Sequence, residues 1–354
     1  MLNKFKGKRI FITGNTGFKG SWLSYILFLN GANVMGYSLP LSNENKSHYK
    51  ELNLNNKITQ IEGDIRDRNK LISTVENFAP DYVFHLAAQA LVRLSYDDPH
   101  NTFETNVMGS VNVLDSVLNS KTVQSLVYIT SDKCYENNEW VWGYRENDKL
   151  GGRDPYSASK AAAENVFSAY LKSFIDNYPS LGAASTRAGN VIGGGDWSVD
   201  RIVPDCIRSI NENSTITLRS PQATRPWQHV LEPLSGYLLL ALKLHEDPNK
   251  FSGSWNFGPS TTETATVYEL ANSVVKHFNK GDIIQKPDSS ELHEAGLLQL
   301  NCDKAHQELK WKQKWNLNKT FKFTADWYKR VLSGENVETV TKEQINQYFG
   351  VIND

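Results

Sequence analysis

The chain has 354 residues, with 38 Lys+Arg against 39 Asp+Glu, a formal charge of -1, and 40% hydrophobic and 22% charged residues. That length allows about two domains, and the near-neutral balance argues against a nucleic-acid binder, whose basic excess is usually gathered on one face. No apolar run approaches the ~18–20 residues of a membrane span, and the basic start, Met1 through Arg9, leads straight into a strand without a cleavage signal. Three scattered cysteines (Cys134, Cys206, Cys302) suit neither a disulfide framework nor a zinc site, so a reduced, cytoplasmic protein without metal is expected.

Strands are predicted at Arg9–Ile12, Asn33–Tyr37, Ile58–Ile61, Tyr82–Ala87, Leu126–Thr130 and Ala183–Thr186, with helices over 21–29, 67–78, 101–119 and 156–176. Strands separated by helices of this length imply right-handed βαβ crossovers, hence an α/β fold with a doubly wound parallel sheet of the Rossmann type. Residues 188–229 are rich in Gly, Pro, Asp and Arg and read as site-building loops; Leu231–Leu244 reads as a helix and Ser254–Phe257 as a strand returning to the sheet. Short helices and a Trp-rich stretch follow from about residue 262. The expected division is a Rossmann domain over 1–187, with 230–258 returning to it, and a smaller, partly discontinuous C-terminal substrate-binding lobe over 188–229 and 259–354.

Thr13-Gly14-Asn15-Thr16-Gly17-Phe18-Lys19-Gly20 falls between the first strand and first helix, with glycines spaced G-x-x-G-x-x-G. Such a turn lets backbone N–H groups reach a pyrophosphate at a helix N-terminus, where the dipole favours negative charge. Thr13 through Phe18 are therefore expected to hold a dinucleotide. The acid that commonly ends the second strand is missing: Gly36-Tyr37-Ser38 stands there, so Ser38 meets either a ribose hydroxyl or a phosphate, and NAD versus NADP stays open on this ground. Asp64, after the third strand, is placed to reach the adenine, or is a turn residue. Ala87-Ala88, ending the fourth, offer small side chains for close approach of a ligand or for helix–sheet contact.

Tyr156-Ser157-Ala158-Ser159-Lys160 puts a phenol and an ammonium four apart on one helix face. A neighbouring lysine charge, together with a positively charged nicotinamide, is expected to lower the phenol's pKa and make Tyr156 a base toward an alcohol that is losing hydride. At the end of the fifth strand stand Ser131, Asp132 and Lys133. Ser131 can bond the same substrate oxygen, while an acid and a base side by side exceed what a simple dehydrogenation needs.

Together with His85-Leu86-Ala87-Ala88-Gln89, Asn106, Glu139-Trp140-Val141-Trp142-Gly143-Tyr144, Gly189-Asn190-Val191-Ile192-Gly193-Gly194-Gly195-Asp196-Trp197 and Arg225-Pro226-Trp227-Gln228-His229, these residues resemble the extended short-chain dehydrogenase/reductase family. Within it they resemble the cytidine-specific branch of the sugar-nucleotide dehydratases, over nearly the whole chain. The resemblance implies NAD as cofactor, with Ile65, Gln89, Asn106, Tyr156 and Lys160 joining the residues that bind it. It implies dehydration of CDP-glucose to a 4-keto-6-deoxy sugar, an early step in deoxysugar formation. Tyr156 would take the C4 hydroxyl proton, Lys133 the C5 proton, and Asp132 would protonate the departing C6 hydroxyl. A sugar-nucleotide 4-epimerase is the alternative, although it has no need of Asp132-Lys133. Helices 101–119 and 156–176 could pair across a two-fold axis, as in related enzymes, giving a homodimer or homotetramer.

A CDP-sugar carries a pyrophosphate, which guanidinium groups suit. Arg201, Arg219 and Arg225 are the candidates, with Asn190 as a donor, Val203 beside Arg201, and Trp227 and His229 framing the pocket wall. Gln89 and Arg93 are expected to face the sugar, and His293 to add a contact from the second lobe.

Overall fold

The computed structural model describes residues 1–354 apart from 43–45, 287–295 and 351–354. The expected contact of His293 lies outside the described residues. In chain order the principal elements begin with β1 (Arg9–Thr13), α1 (Phe18–Leu29), β2 (Asn33–Ser38), β3 (Thr59–Glu62), α2 (Arg68–Phe78), β4 (Tyr82–His85) and α3 (Gly109–Asn119). β5 (Ser125–Ile129), α4 (Pro155–Ser173), β6 (Gly182–Ala188), α5 (Ile202–Asn211), α6 (Leu231–Glu246) and β7 (Gly253–Phe257) follow, and then α7 (Val267–Phe278), α8 (Leu317–Leu332) and α9 (Val337–Phe349).

Seven parallel strands form one sheet in the order β7-β6-β5-β4-β1-β2-β3. Every residue of β4, β5 and β6 is buried, as expected of a parallel sheet covered by helices on both faces. Chain order reverses between β1 and β4, which opens a crevice beyond their carboxyl ends. The predicted return of a strand to the sheet is borne out by β7, paired with β6 from Gly253↔Ala184 to Phe257↔Ala188.

Two expectations need correction. The helix read over 101–119 is interrupted: Pro99–Phe103 is α-helical, Glu104–Met108 forms a π turn, and α3 follows. A π turn inserts one extra residue and re-aims side chains, here Asn106, whose carboxamide bonds the Gln89 backbone and Ser159. The C-terminal helices are not short, since α8 runs 16 residues and α9 runs 13. They are built on buried aromatic contacts. Trp327 lies against Gly194, where a Cβ would fall 2.0 Å from the indole, and the Trp22 indole N–H donates to the Gly194 carbonyl at 2.9 Å. Trp311 and Trp315 are buried as well. Among the described residues no helix is long and apolar enough to cross a membrane, and no His, Cys, Asp and Glu cluster is arranged to hold a metal.

Candidate active site

The glycine turn is as tight as its spacing suggests. Gly14 takes φ +72°, and a Cβ there would meet the Ala87 nitrogen at 2.6 Å. A Cβ on Gly20 would meet the Gly14 carbonyl oxygen at 2.1 Å. Gly17, exposed at the N-cap of α1, has no side-chain cap, so the first N–H groups of α1 are left for an anion. Phe18 opens the helix and lines the cleft. These features fit a dinucleotide pyrophosphate. Other residues of the expected set brace the turn. Thr13 Oγ1 bonds His85 Nδ1 at 2.7 Å and accepts from the Ala87 N–H at 3.3 Å. The buried Asn15 accepts from Ser38 Oγ at 2.7 Å and donates to Gln60 at 2.6 Å, while the Thr16 N–H points to Ser38 Oγ at 3.4 Å.

Asp64 forms an ion pair with Arg66 at 2.6 Å, whose bonds hold its carboxyl below the usual range. The Ile65 side chain is buried beneath Gly109. Ala87 and Ala88 follow β4 at the crevice. Gln89 is held by Asn106 and Thr102 and closes its own loop onto Leu91.

The candidate catalytic residues come from two elements that meet at the crevice. Helix α4 begins at Asp154, whose carboxylate accepts from the Ser157 N–H, with Pro155 in the first turn, an N-terminus that its residue types favour. That start places Tyr156 and Lys160 on one buried face. Opposite lies a one-turn helix, Asp132–Cys134, capped by Ser131, whose Oγ accepts from the Lys133 N–H and donates to Asp132 Oδ1 at 3.0 Å.

The chain's own groups act against the expected lowering of the phenol, before any nicotinamide charge is counted. Burial pushes the Tyr156 phenol up to about 12, although the Ser131 hydroxyl and the Arg201 charge pull it down. Lys160 is itself shifted down by burial, to about 8, partly offset by Glu164. Asp132, only 5% exposed, is raised by burial against the opposing pull of Lys133, the Ser131 bond and Arg225. Lys133 is only partly buried and forms no ion pair with Asp132 among the described residues. Asp132 is thus buried while Lys133 is partly open, and the ammonium is near enough to pull on the carboxyl.

These groups line a cavity of about 760 Å³ that runs from Phe18 and Lys19 past Asp132, Lys133 and Tyr156 toward α5. A second lobe of the cleft, about 1080 Å³, shares Lys133, Asn190, Arg201, Arg219 and Arg225 with it and reaches Arg93. Arg201 is held by Asp196 at 2.8 Å, and Arg219 by Asp200 at 3.3 Å. Arg225 donates to the Thr224 and Gly296 carbonyls. Val203 and Trp227 are buried in the wall, the indole donating to the Ala265 carbonyl. His229 does not frame the cleft. It is fully buried between Trp22 and Trp315, because its short strand pairs inward with Val191–Ile192.

Sequence reasoning passed over Lys19. In the cleft wall, burial and the charges of Lys160 and Arg201 bring it down to about 8. A lysine set between Gly17 and Gly20 was the available signal.

A family model described as GDP-mannose 4,6 dehydratase matches residues 11–324. The chain is 46% identical over 351 residues to CDP-glucose 4,6-dehydratase of Salmonella typhimurium, covering 98% of each chain. Among solved structures it resembles a UDP-glucose 4-epimerase of Thermotoga maritima, at TM-score 0.79 and 22% identity over 92% of this chain and 99% of that one. It also resembles a dTDP-glucose 4,6-dehydratase of Streptomyces venezuelae solved with NAD and TYD, at TM-score 0.78 and 22% identity over 92% and 98%. These two likenesses establish the fold. The near full-length relative adds the branch, and the chain belongs to the sugar-nucleotide 4,6-dehydratases of the short-chain dehydrogenase/reductase family, alongside the CDP-glucose enzymes.

Proposed function

We propose that this chain is an NAD-dependent hydro-lyase that converts CDP-D-glucose to CDP-4-dehydro-6-deoxy-D-glucose and water. The observation that carries this reading is Asp132, buried and biased toward its protonated form, one residue from the partly exposed Lys133 and facing Tyr156 across one cleft. An epimerase needs no such acid–base pair.

Gly14, Gly17 and the first turn of α1 would hold the cofactor pyrophosphate, Ser38 and Asp64 would serve its adenosine end, and Lys160 with Ala87–Gln89 its nicotinamide end. When bound, NAD supplies the redox chemistry internally, accepting hydride from C4 and returning it to C6. Tyr156 Oη removes the C4 hydroxyl proton. The burial that raises its pKa is opposed by Ser131 and Arg201 before ligands arrive, and a cationic nicotinamide ring would add to them. The C4 ketone acidifies the C5 hydrogen, which Lys133 Nζ removes. Asp132 gives its proton to the C6 oxygen as that oxygen leaves as water, and Lys133 Nζ returns a proton to C5. Arg201, Arg219 and Arg225 bind the CDP pyrophosphate, with Asn190, Val203 and Trp227 in the wall beside it.

Residues 1–187 and 230–258 serve as the cofactor lobe, and 188–229 with 259–354 as the sugar-nucleotide lobe. The enzyme works in the cytoplasm as a homodimer or homotetramer, in deoxysugar formation for a surface polysaccharide such as an O-antigen. The test is incubation with CDP-glucose in D₂O with NAD⁺, read by NMR and mass spectrometry. A 4-keto-6-deoxy product with deuterium at C5 and no net NADH is expected. A C4 epimer without deuterium would overturn the reading.

A further inference from the structure

Behind the cleft, and touching neither lobe of it, lies an ion pair that the proposed chemistry does not use. Glu164 and Arg187 are 1% and 3% exposed in their side chains, and Arg187 Nη2 donates to Glu164 Oε2 at 2.7 Å. Burial alone would push the Glu164 carboxyl up. Arg187, Thr130 and Ser185 outweigh it and hold the group below its ordinary value, so the pair is charged. A buried ion pair is a weak source of stability, because desolvation offsets the attraction and apolar replacements often do as well. Its presence calls for a geometric reason.

The partners of the pair supply one. Glu164 lies four residues beyond Lys160 and eight beyond Tyr156, on the same face of α4. Thr130 Oγ1 donates to Glu164 Oε1 at 2.5 Å, and Ser185 Oγ donates to Glu164 Oε2 at 2.8 Å. On the other side Arg187 Nη1 donates to the Tyr135 hydroxyl at 2.7 Å, and that hydroxyl donates to Asn256 Oδ1 at 2.9 Å. Thr130 and Tyr135 are the residues immediately before and after Ser131-Asp132-Lys133-Cys134. One buried pair thus grips both ends of the turn that carries the elimination groups, and one of its members stands on the helix that carries the oxidation groups.

We propose that Glu164 and Arg187 are positioning residues, a polar clamp that fixes the Thr130–Tyr135 turn against α4 so that Asp132 and Lys133 address the sugar that Tyr156 holds. The inference rests on the dehydratase reading above. It weights two halves of the reaction differently: oxidation at C4 draws on α4 and, from the turn, on Ser131 alone, whereas loss of water needs both Asp132 and Lys133 held at the right distance from α4.

Glu164→Gln would leave the Arg187 charge buried without its counter-charge and endangers folding. Thr130→Val and Tyr135→Phe are the working variants, since each removes one hydroxyl and leaves the pair. Each is expected to lower kcat for dehydration by about 10–100-fold, the cost of a misplacement on the order of 1 Å, with KM for CDP-glucose within about threefold. A structural role alone does not predict the second signature, a change of partition. Oxidation continues while elimination lags, so a 4-keto sugar that keeps its C6 hydroxyl is released, with one equivalent of reduced cofactor left for each molecule. Variants that fold, turn over and partition as the wild type does would overturn the clamp alone. So would a loss of all activity that simply tracks a lowered Tm, with no intermediate released. A wild type inert toward CDP-glucose would overturn the dehydratase reading and the clamp with it.

Discussion

Ser131 Oγ donates to Asp132 Oδ1 at 3.0 Å, so the hydroxyl expected to hold the substrate's oxygen first serves the acid beside it. The bond stabilises the ionised carboxylate, yet burial is the larger influence and the Asp132 pKa is raised. An acid with a raised pKa keeps its proton to higher pH than a free carboxyl does and loses it as pH climbs further. Asp132→Asn is therefore expected to lower kcat by about 10²–10³-fold with little change in KM, a usual range for removal of a general acid. In the wild type kcat should fall on the alkaline side as Asp132 ionises, and initial rates across pH for both proteins check this. Loss of that alkaline limb in the variant, with the residual rate following Tyr156 alone, is the expected pattern.

Two lysines carry charge at a cost, Lys19 in the cleft wall and Lys160 buried on α4. Lys19 and Lys160 are both brought from 10.5 down to about 8. Between about pH 8 and 10.5 the unfolded chain binds more protons than the folded one, so their contribution to stability rises with pH there; below pH 8 the penalty is fully present. Lys160→Met is expected to abolish turnover and raise stability at pH 7 by on the order of 1–3 kcal/mol, and Lys19→Met to stabilise by less because its side chain is partly open to the cleft. Thermal melts at pH 7 and pH 10 check the sign, since the gain must shrink at the higher pH. A lower Tm for Lys160→Met at pH 7 would contradict the assignment.

The strands were legible because β4, β5 and β6 are continuous runs buried on both faces, and the helices between them left one topology open. The π turn was not, since Glu104-Thr105-Asn106-Val107-Met108 has nothing in its periodicity that separates it from α-helix. Tyr156, Lys160, Ser131, Asp132 and Lys133 were found by their position after β5; Tyr156, Ser131, Asp132 and Lys133 line one cleft, and Lys160 is buried on the same helix face as Tyr156. What local sequence could not supply were distant partners. Asn15 sits in the glycine turn but its carboxamide answers Ser38 and Gln60, and His229 belongs to a core made with Trp22 and Trp315. The direction of the Tyr156 shift was also out of reach, because it depends on burial rather than on the lysine four residues away.

The glycines of the cofactor turn divide into two kinds. Gly20 has no room for a side chain, since its Cβ would fall 2.1 Å from the Gly14 carbonyl oxygen, and Gly20→Ala should lower Tm and abolish cofactor binding together. Gly17 is different: its φ of -73° suits any residue and the nearest atom to a Cβ is 3.4 Å away. Gly17→Ala should melt within a degree or two of the wild type yet bind NAD at least about tenfold more weakly, because the added methyl stands where the pyrophosphate meets the helix N-terminus. Calorimetric titration with NAD beside a thermal melt separates the two cases. Unchanged NAD affinity in Gly17→Ala would move the pyrophosphate elsewhere.

The two outer arginines should differ in kind as well. Arg219, paired with Asp200 at 3.3 Å, lies apart from the reacting groups, so Arg219→Ala removes binding that ground and transition states share. KM is expected to rise by about tenfold with kcat retained, in line with the loss of about 1.5 kcal/mol from one charge-assisted bond. Arg201, held by Asp196 at 2.8 Å, is near enough to Tyr156 for its charge to lower the phenol's pKa. Arg201→Ala should therefore raise KM and also lower kcat, and the acidic limb of the pH–rate profile, where Tyr156 gains its proton, should move to higher pH. Arg201→Lys should restore part of the pH shift, since it returns the charge, but less of the KM, since an ammonium cannot grip a pyrophosphate with two parallel bonds. An Arg201→Ala enzyme with an unmoved profile would confine this residue to binding and leave the phenol to Ser131 and the cofactor.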